Sequence, residues 1–328
     1  MVSPLLATQL LVGAAALYVL VKSAEVAVSR ALALATHYDV PDVVVGMTVL
    51  AIGTSLPEIA SHVIASAGIL AGTLDYEVAS ATVLGGNMGS STVQQTLLLG
   101  LFLVGFGRLE VTRQFLQANY LPMLAGFVVT LLVLADGVVS RVDGALLLLA
   151  YLGYTRYSLG RRERRLRLPG EESRDVRRDL VVTVGALLAI LASSYVVLSV
   201  VEVVVDRLAL GGSMVGVVTL GLASALPELS TVVDAVRRRA PNVALGTLVG
   251  SNVVNPLVGI GLGGVISGYA VPVSVVRWDL PFKLVVGVGL LVVLLRREPH
   301  ELGRHDGALL VVAYFAFVVG RLLLFAGQ

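Results

Sequence analysis

The sequence predicts an all-α polytopic membrane protein, with ten transmembrane helices in two inverted five-helix repeats. Three observations lead to this fold class. Apolar residues make up 56% of the 328-residue chain and charged residues only 14%, whereas roughly a quarter of an average soluble domain is charged. The chain also contains ten long apolar stretches, and segments of its first half match segments of its second. This composition excludes both a soluble globular protein and a disordered chain.

The apolar stretches are long enough to cross a bilayer, which takes about 20 helical residues. They lack the alternation with a period of two that is typical of a transmembrane β-barrel. The predicted spans cover residues 4–34, 43–71, 78–106, 115–135, 143–159, 180–208, 213–236, 243–268, 279–295 and 306–326. No basic segment precedes the first span, so we expect it to be retained rather than cleaved as a signal peptide.

The placement of arginine predicts the orientation in the membrane. Residues 160–179 form the longest polar segment and contain eight arginines. Loops rich in Arg and Lys face the cytoplasm, and with this loop inside, alternation places both termini on the extracytoplasmic side of the cell membrane. A regulatory or lipid-binding role for the loop is the alternative interpretation. The loop separates a first repeat, residues 1–159, from a second, residues 180–328.

The internal matches predict that the two halves are inverted relative to each other. Five pairs of segments match in the same order along the chain: 25–30 with 202–207, 46–58 with 216–228, 85–100 with 246–261, 121–122 with 280–281, and 143–147 with 306–310. Each half then has five spans, and because five is odd, the second half enters the membrane in the opposite direction. Inverted repeats of this kind are typical of secondary transporters that bind their substrate at the midplane.

Two glutamates occupy the centres of matched spans. Glu58 and Glu228 each lie about 15 residues into a span, which is about 22 Å along a helix. An ionised side chain at that depth needs a partner and marks an ion pathway by default. Each follows a proline, Pro57 or Pro227, which disturbs the preceding turn and frees backbone carbonyls. An all-oxygen site of this kind suits Ca²⁺ or Na⁺ and suits neither zinc nor copper.

Further polar side chains are predicted to surround these glutamates. The spacing favours a shared helix face for Thr54, Ser55 and Glu58, and for Ser224 and Glu228. Two other pairs are four residues apart, and each could offer oxygens from one face: Ser90 with Gln94, and Ser251 with Asn255. Helix packing through small residues is the alternative interpretation of these four. A second symmetric set, Glu25 with Arg30 and Glu202 with Arg207, is predicted to form structural ion pairs.

These residues resemble a known family. The segment GTSLPE at 53–58 and the segment GSNVVN at 250–255 resemble those of the Ca²⁺/cation antiporter superfamily, most closely the prokaryotic sodium/calcium exchangers. The resemblance implies ten helices, two Glu ligands for Ca²⁺, and flanking Na⁺ sites built from hydroxyls, amides and carbonyls. It assigns these roles to Thr54, Ser55, Glu58, Ser90, Gln94, Ser224, Glu228, Ser251 and Asn255, with Ala51 and Gly221 contributing carbonyls only. It also implies that the first and sixth spans slide as a moving gate.

The sequence departs from that pattern in ways that affect the coupling ion. Ala225 replaces the hydroxyl that Ser55 supplies in the first half, and Gln94 takes the place of Asn or Asp. Two carboxylates balance one Ca²⁺, two Na⁺ or two H⁺, and a third Na⁺ would leave excess positive charge in a low-dielectric site. His62, four residues after Glu58, could let H⁺ replace Na⁺, although a neutral histidine bonded to a neighbour is the alternative.

The predicted function is secondary active antiport of Ca²⁺ for Na⁺, by alternating access at the two glutamates. H⁺-coupled antiport of Ca²⁺ or another cation is the main alternative, and a cation channel is a remote one. No enzyme is predicted, because neither a G-x-S-x-G elbow nor an H-E-x-x-H motif occurs. No cofactor and no nucleic-acid partner are expected. The predicted partners are small inorganic cations and the lipid bilayer, while the oligomeric state stays open and a monomer is compatible with the sequence.

Overall fold

A computed structural model describes residues 4–38, 51–159, 175–208, 211–238, 241–325 and 327. Most of the predicted Arg-rich cytoplasmic loop, residues 160–174, and the start of the second predicted span, residues 43–50, lie outside the described residues. The described chain is dominated by helices, with four short strands in two antiparallel pairs.

In the described part of the first half, eight α-helices form the spans. In chain order they are α1 Pro4–His37, α2 Ala51–Thr54, α3 Leu56–Ala71, α4 Tyr76–Val93, α5 Leu99–Phe106, α6 Arg113–Phe115, α7 Leu121–Leu134 and α8 Arg141–Leu159. Two π-helical turns, Gln94–Leu98 and Leu116–Tyr120, connect α4 to α5 and α6 to α7. Strand β1 spans Arg108–Glu110, and β2 spans Val138–Val139.

The second half repeats this arrangement. Its helices are α9 Val176–Leu208, α10 Gly212–Val218, α11 Leu220–Ser224, α12 Leu226–Arg238, α13 Pro241–Val254, α14 Gly261–Ile266, α15 Leu280–Arg296 and α16 Arg304–Phe325. The π-helical turns are Asn255–Ile260 and Val275–Asp279, and the strands are β3 Tyr269–Ala270 and β4 Glu301–Gly303. Each predicted span thus matches one helix or one run of helical segments. The sixth span begins at Val176, before its predicted start at residue 180, so the Arg-rich loop is shorter than predicted.

The distribution of apolar side chains is that of a membrane protein. Among the residues that the structure describes, eight helical segments are long and apolar enough to span a bilayer, and α3 is a shorter apolar helix. Large apolar side chains face outward, with Leu11 72%, Val285 72% and Leu323 80% exposed. Polar side chains such as Glu58 and Glu228 are instead buried. Lipid is the environment in which this arrangement is stable, and the prediction of a polytopic membrane protein is confirmed.

The strand pairs reflect the inverted relation of the two halves. β1, after the third span, pairs with β4, before the tenth, and β2, before the fifth span, pairs with β3, after the eighth. Each pair therefore joins one half to the other. The third and ninth spans end on one membrane face, and the fourth and eighth end on the opposite face, so the two strand pairs lie on opposite faces. The strand after the third span, β1, corresponds to β3 after the eighth, and β2 before the fifth corresponds to β4 before the tenth. The inverted repeat therefore relates one strand pair to the other. This arrangement agrees with two inverted five-helix repeats.

Close helix contacts fix the centre of the molecule. A Cβ added to Gly85 in α4 would clash with the backbone carbonyl of Ser213 in α10, and one added to Gly216 in α10 would clash with that of Thr82 in α4. Glycine is needed at these positions because the two backbones nearly touch. The pair of helices thereby holds the matched segments of both repeats at a fixed separation.

The long helices α1 and α9 pack along each other, and a separate apolar cluster joins them to α3. The predicted ion pair between Glu25 and Arg30 is wrong. Lys22 lies 2.7 Å from the Glu25 carboxylate, and Arg30 lies 3.1 Å from Asp179 on α9. Five residues correspond to about 140° around a helix, so the two side chains point in different directions. Glu202 accepts a hydrogen bond of 2.8 Å from the backbone N–H of Asp75.

Candidate ion-binding site

Both glutamates lie where a membrane-spanning helix is broken. Ser55 alone separates α2 from α3, and Ala225 alone separates α11 from α12. Glu58 and Glu228 consequently fall in the first turn of their helices, each directly after a proline. Proline is tolerated there because the first N–H groups of a helix have no internal partner. A carboxylate is stabilised at the same position by the helix dipole, so the predicted broken helices are confirmed.

Glu58 is buried and binds donors from both repeats. The Ser90 hydroxyl donates to Glu58 Oε1 at 2.5 Å, and the Asn255 amide donates to the same oxygen at 3.4 Å. Its side chain is 4% exposed. The second oxygen, Oε2, has no hydrogen-bond partner in the described part of the chain. One carboxylate oxygen is therefore oriented by the protein, and the other is available to a cation.

Glu228 has an equivalent environment. The Ser251 hydroxyl donates to Glu228 Oε1 at 2.9 Å, and Glu228 Oε2 lacks a partner among the residues described. Ser251 is the residue that matches Ser90 in the other repeat. Ser251 and Asn255, four residues apart, bind Glu228 and Glu58 respectively, so the two carboxylates lie in one site. Two buried carboxylates in one site repel each other, and a bound cation between them would relieve that repulsion.

The Thr54 hydroxyl is linked to Glu228 through Ser251, and not to Glu58 as predicted. Its hydroxyl lies 3.0 Å from the Ser251 hydroxyl. Since Ser251 donates its single proton to Glu228, Thr54 must be the donor to Ser251. The prediction of a shared helix face with Glu58 is wrong, because the helix is interrupted at Ser55 and helical spacing does not continue across the break. Thr54 thus links the first repeat to the carboxylate of the second.

Gln94 lies beside Ser90, as predicted, and also contacts the other repeat. Its amide nitrogen donates to the Ser90 hydroxyl at 3.2 Å, as the predicted shared face requires. Its amide oxygen accepts a hydrogen bond of 3.2 Å from the side chain of Asn252. Gln94 therefore connects Ser90 to Asn252 in this structure, and its role as a ligand stays a prediction.

The remaining predicted ligands lie in or next to the two helix breaks and at the start of the π-helical turn Asn255–Ile260. The side-chain oxygens of Ser55, Ser224 and Asn255 are buried and have no partner within the described residues. Ala51 and Gly221, predicted to contribute carbonyls, lie in the short helices α2 and α11, just before the two breaks. These residues approach the site from both repeats, and their role as ligands stays a prediction.

His62 takes part in a network of neutral hydrogen bonds. Its Nε2 lies 3.1 Å from the amide nitrogen of Asn87, and its Nδ1 lies 3.2 Å from the hydroxyl of Tyr269. The Tyr269 hydroxyl also lies 3.0 Å from the main-chain oxygen of His62 and 2.8 Å from the hydroxyl of Ser66. Both ring nitrogens are therefore occupied, which agrees with the alternative of a neutral, bonded histidine.

Sequence reasoning missed Asn87, Asn252 and Tyr269. All three are buried, and the two asparagines lie within the matched segments that contain Ser90 and Ser251. A signal was available for Asn87, because the matching position of the second repeat is Leu248. The other half has a leucine at the matching position, so packing alone does not require an amide there. A buried amide at this position therefore indicates a specific polar interaction. Tyr269 lies at the end of a span and gave no comparable signal.

The site can bind a hard cation through oxygen alone. Carboxylate, hydroxyl and amide oxygens converge on it, and hard cations such as Ca²⁺ are bound by such ligands. No group of three or more His, Cys, Asp or Glu side chains occurs in the described ranges. The acidic part of the site is therefore the pair of glutamates, and the charge that it can neutralise is about two.

Comparisons with known proteins show which family the chain resembles. The family model described as sodium/calcium exchanger protein matches residues 8–160 and 179–323, most of both repeats. The chain is 29% identical over 326 residues to inner membrane protein YrbG of Escherichia coli (strain K12), covering 96% of each chain. It is 25% identical over 318 residues to putative antiporter CaxA of Alkalimonas amylolytica, covering 92% of this chain and 94% of the relative.

A solved structure has the same fold. The sodium-calcium exchanger NCX_Mj, soaked with 10 mM Na⁺ and zero Ca²⁺, superposes with a TM-score of 0.63 at 22% identity, covering 96% of this chain and 98% of that one. At this identity the similarity establishes the architecture of ten helices in two repeats. The family is established by the sequence model, which matches both halves of the chain. The chain therefore belongs to the sodium/calcium exchanger family of membrane transporters.

Proposed function

We propose that this protein is a secondary active antiporter that exchanges Ca²⁺ for Na⁺ across the cell membrane by alternating access. One observation supports this most directly. Glu58 and Glu228 are buried and are bound by Asn255 and Ser251 of the same segment, and each has one oxygen held by a serine and one oxygen without a partner in the described residues. Buried carboxylate oxygens without partners cost free energy in an empty site. A bound cation would offset that cost.

The available oxygens suit Ca²⁺, which takes six to eight oxygen ligands. The buried side-chain oxygens without a described partner at the centre are Glu58 Oε2, Glu228 Oε2, Ser55 Oγ, Ser224 Oγ and Asn255 Oδ1. Carbonyls of Ala51 and Gly221, before the helix breaks, would complete the shell. We expect Na⁺ to use subsets of the same oxygens, so that the two ions exclude each other.

Mutual exclusion at one site explains how the fluxes are coupled. Two carboxylates neutralise one Ca²⁺ or two Na⁺, and both states leave the buried site without net charge. A state with one carboxylate unbalanced would be strongly disfavoured inside the membrane. The carrier would therefore change its access only when the site is filled by one ion type or the other. The relatives named putative antiporter CaxA and sodium/calcium exchanger MaX1 support this proposal.

H⁺ is the alternative coupling ion, because protonation of the two glutamates would also neutralise them. His62 gives this alternative no support, since both of its ring nitrogens are engaged by Asn87 and Tyr269. The hydroxyl and amide oxygens around the glutamates favour Na⁺, because a proton on a carboxylate needs no such shell.

The experiment is radiolabelled Ca²⁺ uptake into proteoliposomes. We expect uptake under an outward Na⁺ gradient at fixed pH and none under a pH gradient without Na⁺. Glu58→Gln and Glu228→Gln should each abolish uptake, because one carboxylate cannot balance Ca²⁺. The matched control is Glu25→Gln, which removes an acid bonded to Lys22 on α1 and should keep uptake. Uptake by both site variants would refute the site, and uptake driven by the pH gradient alone would favour H⁺.

The orientation of the chain belongs to the same proposal. We infer that both termini lie on the extracytoplasmic side, because the Arg-rich segment at 160–179 should face the cytoplasm. Reporter fusions at the C-terminus and within 165–170 would test this. Alkaline phosphatase should be active at the first position and inactive at the second.

A further inference from the structure

The two repeats differ in the polarity of the residues next to their glutamates. His62 and Asn87 are 1% exposed and lie beside Glu58, whereas the matching positions of the second repeat are Val232 and Leu248. A buried polar side chain is costly unless its groups are paired. The extra polar residues in the first repeat therefore call for a physical explanation that the pair of glutamates does not supply.

The hydrogen bonds fix how the Asn87 amide is turned. Its nitrogen lies 2.6 Å from the main-chain oxygen of Asn255, and a carbonyl oxygen only accepts, so the contacting atom must be the N–H₂ group. The same nitrogen lies 3.1 Å from His62 Nε2, which must then accept. The other ring nitrogen, Nδ1, carries the proton and donates to Tyr269. Both amide protons of Asn87 are thereby used, and the direction of its oxygen is set.

Asn87 lines a small cavity. The cavity has room for about one water molecule or one ion, roughly 10 Å³, and its polar lining is Glu58, Ser61, His62, Asn87 and Ser224. Three of these side chains have a buried oxygen without a partner in the described residues: Glu58 Oε2, Asn87 Oδ1 and Ser224 Oγ. One carboxylate oxygen and two neutral oxygens without a described partner thus belong to residues that line a space of ionic size.

This set of donors fits a monovalent hard cation. Ca²⁺ needs six to eight oxygens and about two compensating charges, which the cavity beside Glu58 cannot supply without Glu228. A Na⁺ ion needs a smaller shell, and the single carboxylate balances its charge. We propose that Asn87 is a ligand of Na⁺ in this cavity, and that His62 is a positioning residue that holds the Asn87 amide with its oxygen toward the ion. The proposal rests on Na⁺-coupled transport as proposed above.

Room for this network comes from the π-helical turn Asn255–Ile260. A Cβ on Gly259 would lie 2.9 Å from His62 Cδ2 and 3.0 Å from the Asn87 amide nitrogen, so glycine lets both side chains approach the turn. The turn also provides the Asn255 carbonyl that orients Asn87. The orientation of a side chain in the first repeat therefore depends on the backbone of the second.

The test is direct ion binding to the purified full-length protein in detergent, with ²²Na⁺ alone and ⁴⁵Ca²⁺ alone as probes. Asn87→Leu introduces the residue type that the second repeat already accommodates at Leu248. It should weaken Na⁺ binding at least about tenfold and change Ca²⁺ binding in Na⁺-free buffer by less than about threefold. His62→Val introduces the residue type found at the matching position, Val232. It should also weaken Na⁺ binding, by a smaller factor, because Asn87 keeps its hydrogen bond to the Asn255 carbonyl.

The matched control is Gln95→Met, which removes a buried amide from the same span. Gln95 donates to the main-chain oxygen of Lys283 and does not line the cavity, so both affinities should equal those of the unmodified protein. Unchanged Na⁺ binding in Asn87→Leu would mean that the cavity holds only water, and would overturn the proposal. An equal loss of both ions in Asn87→Leu and in His62→Val would show a purely structural role and overturn it too.

The two proposals fail in distinguishable ways. If the unmodified protein binds Ca²⁺ but no Na⁺, the Na⁺ site and the Na⁺ coupling are both refuted while the glutamate site stands. If it binds neither ion, the proposed function fails before any variant is compared. If Asn87→Leu does not fold, His62→Val decides, because that variant leaves every oxygen of the cavity in place.

Discussion

A second buried group of charges lies where the ninth and tenth spans meet. Asp279, Lys283 and Arg321 are each 0% exposed. Asp279 Oδ1 lies 3.0 Å from Arg321 Nε, and Arg321 also donates to the Ser213 hydroxyl at 2.6 Å. The Lys283 ammonium lies 4.1 Å from the centre of the Phe127 ring and has no hydrogen-bond partner in the described chain. One acid thus compensates two bases.

The substitution Asp279→Asn keeps the shape of the side chain and removes the only negative charge of this group. It leaves both Arg321 and Lys283 without a counter-ion, and breaking a buried ion pair costs about 3–5 kcal/mol. The contact of Lys283 with Phe127 contributes about 2 kcal/mol and cannot replace the lost carboxylate. Arg321→Met should cost less, because the Lys283 charge, four residues along the chain from Asp279, still acts on the remaining carboxylate.

The measurement is thermal unfolding in detergent followed by tryptophan fluorescence. The chain has a single tryptophan, Trp278, whose indole N–H donates to the main-chain oxygen of Phe317 at 3.2 Å, so the reporter adjoins Asp279. At about 2 °C per kcal/mol, Asp279→Asn should lower Tm by roughly 6–10 °C, and Arg321→Met by clearly less. This charge balance would be refuted if Asp279→Asn had the same Tm as the unmodified protein, or a higher Tm than Arg321→Met.

Two further predictions concern packing and surface charge. Gly85→Ala should lower Tm and transport, since its Cβ would clash with the Ser213 carbonyl and overpacking costs about 1–3 kcal/mol. The control Gly153→Ala, with no atom within 4 Å of the added Cβ, should keep both. Arg30→Gln should change Tm by less than about 2 °C, because Arg30 is 46% exposed in its pair with Asp179 and such pairs contribute about 1 kcal/mol or less. A loss as large as that of Asp279→Asn would contradict this estimate.

Much of the architecture could be predicted because the bilayer imposes strong constraints on sequence. Each span has to be apolar over its length, so the ten stretches are visible without any structure. The same constraint makes Glu58 and Glu228 conspicuous, since a buried carboxylate needs a reason. The prolines before them predicted the helix breaks, which the structure places at Ser55 and Ala225.

The partners of individual side chains could not be predicted, because they depend on geometry between helices. Helical spacing assigned Thr54 to Glu58, but the break at Ser55 turns the Thr54 hydroxyl toward Ser251. Spacing also placed Gln94 correctly beside Ser90, yet it could not show that a side chain from the other repeat occupies the Gln94 oxygen. A pattern within one segment contains no information on which atoms a neighbouring helix supplies.

The asymmetry between the repeats bears on how one pair of carboxylates could accommodate ions of different charge. The serine that orients each glutamate is repeated in both halves, so the central pair is nearly symmetric and favours an ion placed between Glu58 and Glu228. The flanks are not symmetric, because Asn87 adds an oxygen where Leu248 adds none. If Asn87 binds Na⁺ as proposed, the first monovalent ion would enter beside Glu58. It would then withdraw that carboxylate from Ca²⁺ before a second Na⁺ reaches Glu228. Displacement would thus proceed in a defined order, which a fully symmetric site could not impose.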